Sequence, residues 1–178
     1  AVGAPSGGRS DRAKAFTLIT VGRIVAQKNP ERFNAIAERF RAKDPFKFVW
    51  IGDGPLRQLL KAPNIEVTGW IDHSALDPWF AKADAYLSTA DYEGLPYAVL
   101  EAMRARLPLL LTDVVGNRDL VRGENGLLFE DIATATDWMW ELHRDRKRLA
   151  SMANESFAVL RVDFNLERTA KAYAELYE

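Results

Sequence analysis

Asp91-Tyr92-Glu93-Gly94-Leu95-Pro96-Tyr97-Ala98-Val99-Leu100-Glu101-Ala102-Met103 is the stretch on which the fold turns. An apolar run, Ala85 to Leu87, precedes it, and another, Leu107 to Leu111, follows. That order reads as strand, loop, helix, strand. Pro96 suits the first turn of the helix, where a missing N–H costs nothing. Glu93 falls on the loop just before, where the helix dipole favours an anion. Glu101 falls inside the helix, among Val99, Leu100, Ala102 and Met103, and a carboxylate in so apolar a stretch needs a partner. Two carboxylates, one at the mouth and one about two turns deeper, match a ligand rich in hydroxyl groups. Ionised carboxylates accept hydrogen bonds and donate none. Taken alone, the pair also allows a plainer account, with Glu93 solvated and Glu101 paired to a core arginine.

Working outward, the same alternation recurs. Residues 1–15 are small and polar and read as a linker or tail, leaving residues 16–178 as one domain. Strands are expected at Phe16 to Val21, Phe46 to Ile51, Ile65 to Thr68, Ala85 to Ser88, Leu107 to Thr112 and Gly126 to Phe129. Pro30 opens a helix whose Phe33, Ile36, Ala37 and Phe40 share one face. Shorter helices are expected at Leu56 to Lys61 and Ser74 to Ala83. The remainder is helical, with apolar faces through Ile132 to Leu142, Leu149 to Leu160 and Leu166 to Tyr177. Strands alternating with helices imply an α/β fold, a Rossmann-like parallel sheet of about six strands covered by helices on both faces. Ligands of such sheets bind at the carboxyl ends of the strands.

Composition narrows the function. The 178 residues suffice for one domain with a full core, and 48% hydrophobic with 28% charged content is ordinary for a globular chain. A net charge of −1 offers no footprint for nucleic acid. The absence of cysteine removes disulfides, thiolate zinc sites and cysteine nucleophiles. No apolar run approaches the roughly 18 residues of a transmembrane segment. His73 and His143 are the only histidines, and neither has a second ligand at metal spacing. Neither a P-loop nor a Gly-x-Gly-x-x-Gly after the first strand is present, and no Ser-His-Asp constellation is seen.

The strand-end loops carry the chemistry. Gly22 to Pro30 sets two cations, Arg23 and Lys28, beside a glycine that lets the backbone approach a ligand. Arg23 can fork onto two phosphate oxygens while Lys28 acts as a point charge, so a diphosphate fits; both could equally be surface cations. Gly52-Asp53-Gly54-Pro55 is a turn signature first. Asp113 to Gly116 is as readily a plain turn as a contact. Trp70 stands on a strand-end loop and could flank a base.

Together these segments resemble one family. Val21-Gly22-Arg23-Ile24 with Gln27-Lys28-Asn29-Pro30, Trp50-Ile51-Gly52-Asp53-Gly54-Pro55-Leu56 and Val67-Thr68-Gly69-Trp70 are similar to the donor-binding half of retaining GT-B glycosyltransferases of family 4 type. So are Ser88, Glu93-Gly94-Leu95-Pro96 with Leu100-Glu101-Ala102-Met103, Pro108, Gly116-Asn117 and Glu124-Asn125-Gly126-Leu127. Glu93 and Glu101 stand as that family's E-x7-E motif. The resemblance implies that Arg23 and Lys28 hold the diphosphate of a nucleotide sugar. It places Glu101 on the ribose hydroxyls, Glu93 on the donor sugar, and the N–H groups of Gly94 and Leu95 toward sugar or phosphate. Trp70 and Ile71 would edge the base, with Gly22, Gly52 and Pro96 completing the donor site. Glu93, Arg23 and Lys28 would be the catalytic group. The expected function is transfer of a sugar from a nucleoside-diphosphate sugar to an acceptor with retention, without a metal or other cofactor, in a cytoplasmic enzyme.

Two departures from the family stand out. Arg106 occupies a position where the family carries glycine at a left-handed helix cap. The acceptor-binding domain of a GT-B enzyme has no counterpart here; the leading linker is where it would attach, and the last helix would reach toward it. The full enzyme could then touch a membrane peripherally. Two other functions remain open at this point: a nucleotide-sugar epimerase of the same fold, and a non-catalytic nucleotide-sugar-binding module. A flavodoxin-like regulatory domain calls for acidic residues after the first strand, where this chain has Gly22-Arg23.

Overall fold

The computed structural model describes residues 15–164. Six parallel strands form one sheet: β1 Phe16–Val21, β2 Phe46–Ile51, β3 Ile65–Gly69, β4 Ala85–Ser88, β5 Leu109–Thr112 and β6 Gly126–Phe129. Their order is β3-β2-β1-β4-β5-β6, the doubly wound order of Rossmann-like sheets. The helices are α1 Pro30–Glu38, α2 Asp77–Phe80, α3 Tyr97–Arg104, α4 Asn117–Leu120, α5 Ile132–Arg144 and α6 Arg146–Asp163.

Both faces of the sheet are buried, which is why its strands read as nearly continuous apolar runs. Phe16, Leu18, Phe48 and Trp50 turn to one face, against Phe33, Ile36 and Ala37 of α1 and Ala135, Met139 and Leu142 of α5. Ile19, Val49, Ile51, Tyr86 and Leu111 turn to the other, against Phe80 of α2, Val99, Ala102 and Met103 of α3, and Val159 of α6. Aromatic rings fill the first layer; those of Phe33 and Trp50 meet edge to face at 4.9 Å, a favoured geometry.

The chain winds outward from β1 through β2 to β3, then returns to β4 on the far side of β1 and winds the other way. The topological switch therefore lies between β1 and β4. There the helices that follow β1 and β4 go to opposite faces of the sheet, and a crevice is expected at the strands' carboxyl ends.

Several expected boundaries shift for local reasons. Pro96 is the N-cap of α3 rather than its first-turn residue; its φ of −75° and ψ of 100° are extended. Its carbonyl accepts from Val99 N–H at 2.9 Å and begins the helix. The helix expected at Leu56 to Lys61 is a single 3-10 turn, Arg57–Leu59. The one expected at Ser74 to Ala83 splits into a 3-10 turn, His73–Ala75, and the four-residue α2 with Pro78 at its start. β5 begins at Leu109 rather than Leu107 because Leu107 still closes the preceding helix end. β3 runs on by one residue through Gly69, and two short elements lie outside the expected set: a 3-10 turn at Ala26–Lys28 and α4 after Gly116. The tail at residues 1–14 and the helix expected from Leu166 lie outside the described residues.

Arg106 keeps the cap that glycine would make. Its φ is +58°, in the left-handed region. Leu107 N–H donates to Ala102 O at 2.9 Å and Arg106 N–H to Met103 O at 3.0 Å, the paired bonds of a Schellman motif. The guanidinium lies 4.2 Å from the Phe157 ring centroid and bonds Asn154 at 3.2 Å, so the side chain ties this helix end to α6. The backbone strain of a non-glycine residue there is about 1–2 kcal/mol. Arg106→Ala keeps the strain and loses the contacts, whereas Arg106→Gly loses the contacts and the strain. Urea denaturation should therefore find the glycine variant more stable than the alanine variant by about 1 kcal/mol. Equal midpoints would mean that the left-handed backbone carries no penalty.

Candidate functional site

A cavity of about 310 Å³ opens at the switch point, walled by Val21, Gly22 and Arg23 after β1, Ile51 and Gly52 after β2, Trp70, Ile71, His73 and Leu76 after β3, and Glu101 of α3. Its volume is that of a small-molecule site. The loops after β1 and β2 are in backbone contact: a Cβ on Gly52 would collide with the carbonyl oxygen of Gly22. That oxygen also accepts from Trp50 Nε1 at 2.9 Å. Glycine at position 52 is thus what brings two strand ends close enough to share one wall.

The β1 and β4 loops are bound to each other more firmly. Thr89 Oγ1 donates to the carbonyls of Lys28 and Asn29 at 2.9 and 3.1 Å. Asp91 N–H donates to Gln27 O at 3.0 Å, and Asn29 Nδ2 to Asp91 Oδ1 at 2.9 Å. These bonds deliver Lys28 to Glu93. Lys28 Nζ stands 2.5 Å from Glu93 Oε1, and the side chains are 24% and 7% exposed. The solvated Glu93 allowed by the plainer account is therefore ruled out; it is a nearly buried carboxylate with a cationic partner. Arg23, by contrast, is exposed on the cavity wall and engages no acceptor among the described residues. One cation is held and one is free.

Glu101 is not a buried carboxylate paired to a core arginine; it is partly exposed on the cavity wall, and its neighbour is a histidine. His73 Nδ1 lies 3.1 Å from Glu101 Oε1, with side-chain exposures of 75% and 23%. Tyr86, on β4 and within electrostatic reach of both glutamates, is fully buried, and that burial pushes its phenol up to about 12. Its oxygen accepts from Val21 N–H at 3.4 Å, so the phenol stays neutral and supports the end of β1.

Not every expected residue lines the cavity. Gly94, Leu95 and Pro96 lie on the neighbouring β4 loop, next to Glu93. The N–H groups of Gly94 and Leu95 donate to no acceptor among the described residues. Gly116 packs under them; a Cβ there would collide with the carbonyl oxygens of Glu93 and Gly94. Asp113 turns away to pair with Arg118, as a plain turn residue would. Trp70 is 77% exposed at the rim, available to an aromatic ring. The residue missed by sequence reasoning is His73. Its residue type alone suggests only a metal ligand; its place four residues after Gly69, on the strand-end loop that carries Trp70, is the signal that marks it as a site residue. Among the described residues, no group of three or more His, Asp or Glu side chains could hold a metal ion, and no helix is long and apolar enough to cross a membrane.

The family described as Glycosyl transferases group 1 matches residues 15–145. The chain is 29% identical over 170 residues to the O-antigen biosynthesis glycosyltransferase WbnH of Escherichia coli, which covers 90% of this chain and 46% of that protein. It is 33% identical over 113 residues to the GDP-mannose-dependent alpha-mannosyltransferase of Mycolicibacterium smegmatis, covering 62% of this chain and 29% of that one. The crystal structure of Anabaena Alr3699/HepE in complex with UDP and glucose matches it with a TM-score of 0.78 at 18% identity, over 93% of this chain and 48% of that one. The six-stranded sheet with helices on both faces is therefore the fold of GT-B glycosyltransferase neighbours. The chain spans less than half the length of each of these relatives. With most of its described length inside the family match, this chain belongs to the group 1 glycosyltransferases.

Proposed function

We propose that the chain is the donor-binding, C-terminal half of a retaining glycosyltransferase of family 4 type, moving a sugar from a nucleoside-diphosphate sugar to an acceptor. The observation that carries this reading is the cavity at the switch point, whose wall holds Arg23, Trp70 and Glu101 together. Each suits a different part of a nucleotide: a flat ring on Trp70 and Ile71, a ribose diol on Glu101, and phosphate on Arg23. Gly22 and Gly52 let backbone approach the ligand. Lys28 and Glu93 stand next along the switch, with the unengaged N–H groups of Gly94 and Leu95 beside Pro96, where the diphosphate and the donor sugar follow. The named relatives use GDP-mannose in one case and hold UDP in another, which supports a nucleoside diphosphate as the common ligand.

The leaving group of the reaction is a diphosphate, so charge neutralisation is this half's main catalytic contribution. Arg23 and Lys28 supply it with no metal, and Glu93 faces the donor sugar. The acceptor is bound by a partner domain outside this chain, and the reaction takes place in the cytoplasm, with membrane contact left to the whole enzyme.

A thermal-shift screen against nucleosides, nucleoside diphosphates and their sugars tests the reading. A diphosphate at ten times its Kd should stabilise the fold by about 1.4 kcal/mol, or about 3–6 °C for a domain of this size. The chain alone should bind and transfer no sugar. Sugar transfer by this chain at the rate of a whole enzyme would sink the half-enzyme reading; no shift with any nucleotide would sink the donor site.

A further inference from the structure

We propose that His73 is a positioning residue for the nucleotide, holding the Glu101 carboxylate in the orientation that accepts the ribose hydroxyls. The proposal rests on the donor-site reading above and adds a residue to it. Glu101 has one side-chain partner among the described residues, and it is His73, with Nδ1 3.1 Å from Oε1. The contact joins the β3 loop to α3, two segments that the cavity separates, and both residues line that cavity with Trp70 and Ile71.

Burial does not explain the contact. The imidazole is 75% exposed, so water would satisfy its nitrogens without Glu101. Nor does Glu101 need a counter-charge to survive in the core, since it is 23% exposed itself. What the contact does is geometric. Nδ1 lies 3.1 Å from Oε1, so the imidazole occupies one side of a carboxylate that has about four lone-pair sites. The remaining sites on Oε1 and Oε2 face two hydroxyls of a vicinal diol with one rotor already fixed. A side chain locked before the ligand arrives loses less freedom on binding. His73 also lines the same cavity as Trp70 and Glu101, where the ribose meets the base.

The test is calorimetric titration of the chain with uridine diphosphate and guanosine diphosphate, each against its 2′-deoxy counterpart. His73→Ala should lower affinity for the ribonucleotide that binds by roughly three- to tenfold, the worth of one ordinary hydrogen bond. The deoxy ligand should lose less, so the ribo-over-deoxy preference shrinks. His73→Asn, whose amide N–H stands about where Nδ1 stands, should restore most of both. Equal losses for ribo and deoxy ligands, an unchanged preference, or failure of asparagine to restore it would overturn the proposal and leave the donor site standing. If the parent chain binds neither diphosphate, the donor-site reading falls and this proposal with it.

Discussion

Replacing Glu101 by alanine is expected to weaken binding of a nucleoside diphosphate by about 1–3 kcal/mol, the range for losing hydrogen bonds to a charged group. The fold should tolerate the change. Glu101 is 23% exposed, and its partner His73 is 75% exposed, so neither is left buried and unpaired when the other is removed. The packing of α3 rests on Val99, Ala102 and Met103, which point into the core and are untouched. Binding and stability should therefore separate: titration shows a large loss, while the melting temperature of the free chain hardly moves. Binding equal to the parent with a lower melting temperature would mean that Glu101 serves the fold. Glu101→Gln is the sharper variant. It keeps the shape and one acceptor oxygen but loses the charge, so it should fall between parent and alanine.

The same residue illustrates how far the sequence carries. A glutamate among Val99, Leu100, Ala102 and Met103 reads as a carboxylate with a partner, because one buried and unpaired is costly; in the fold it is 23% exposed and could do without one, so the pattern overstates the need. Nor does the pattern say which partner. The partner is His73, 28 positions away on another loop, and only the winding of the sheet brings the two together. Strand positions were legible for the opposite reason. A parallel sheet buried on both faces needs unbroken apolar runs, and Phe16 to Val21, Phe46 to Ile51 and Ala85 to Ser88 have them. The strand-end glycines were legible as loops, but not the reason for them. That Gly52 lets the β1 and β2 loops touch depends on the register of β1 with β2, in which Val21 stands beside Ile51.

Short helices were the least legible elements. The segment around Ser74 to Ala83 has helical residues, yet Pro78 and the single turn at His73–Ala75 divide it. Arg106 shows tertiary context overriding local preference. Arginine in a left-handed cap is unfavourable, yet α6 offers Phe157 and Asn154 to its side chain and the motif forms. The Lys28–Glu93 pair lay between the two cases. Both read as site residues from the sequence, one for phosphate and one for sugar. Their contact with each other at 2.5 Å follows from Thr89, Asn29 and Asp91 stitching two loops, which no pattern along the chain reveals.

That pairing shapes what the two cations should do. Arg23→Ala is expected to weaken a nucleoside diphosphate by about 1.5–3 kcal/mol while leaving the bare nucleoside nearly unchanged, because only the diphosphate presents the charge it reads. Arg23 has no partner to abandon among the described residues, so its loss should appear in binding alone. Lys28→Ala should weaken the diphosphate by a similar amount, but at a further cost to the fold. It strands Glu93, 7% exposed, without its cation. The comparison of nucleoside with nucleoside diphosphate separates these effects, since a folding defect lowers both affinities and a lost phosphate contact lowers one. Raising the salt should weaken the diphosphate in the parent and have less effect in Arg23→Ala, where one screened charge is already gone. Binding should persist in excess chelator, because these two cations supply the charge that a divalent ion would otherwise bring. Calorimetric titration of each variant with both ligands, with and without chelator, reads all of this. Equal losses for nucleoside and diphosphate would assign the cations to folding. Loss of binding in chelator would mean that a metal bridges the phosphates and that Arg23 and Lys28 do not suffice.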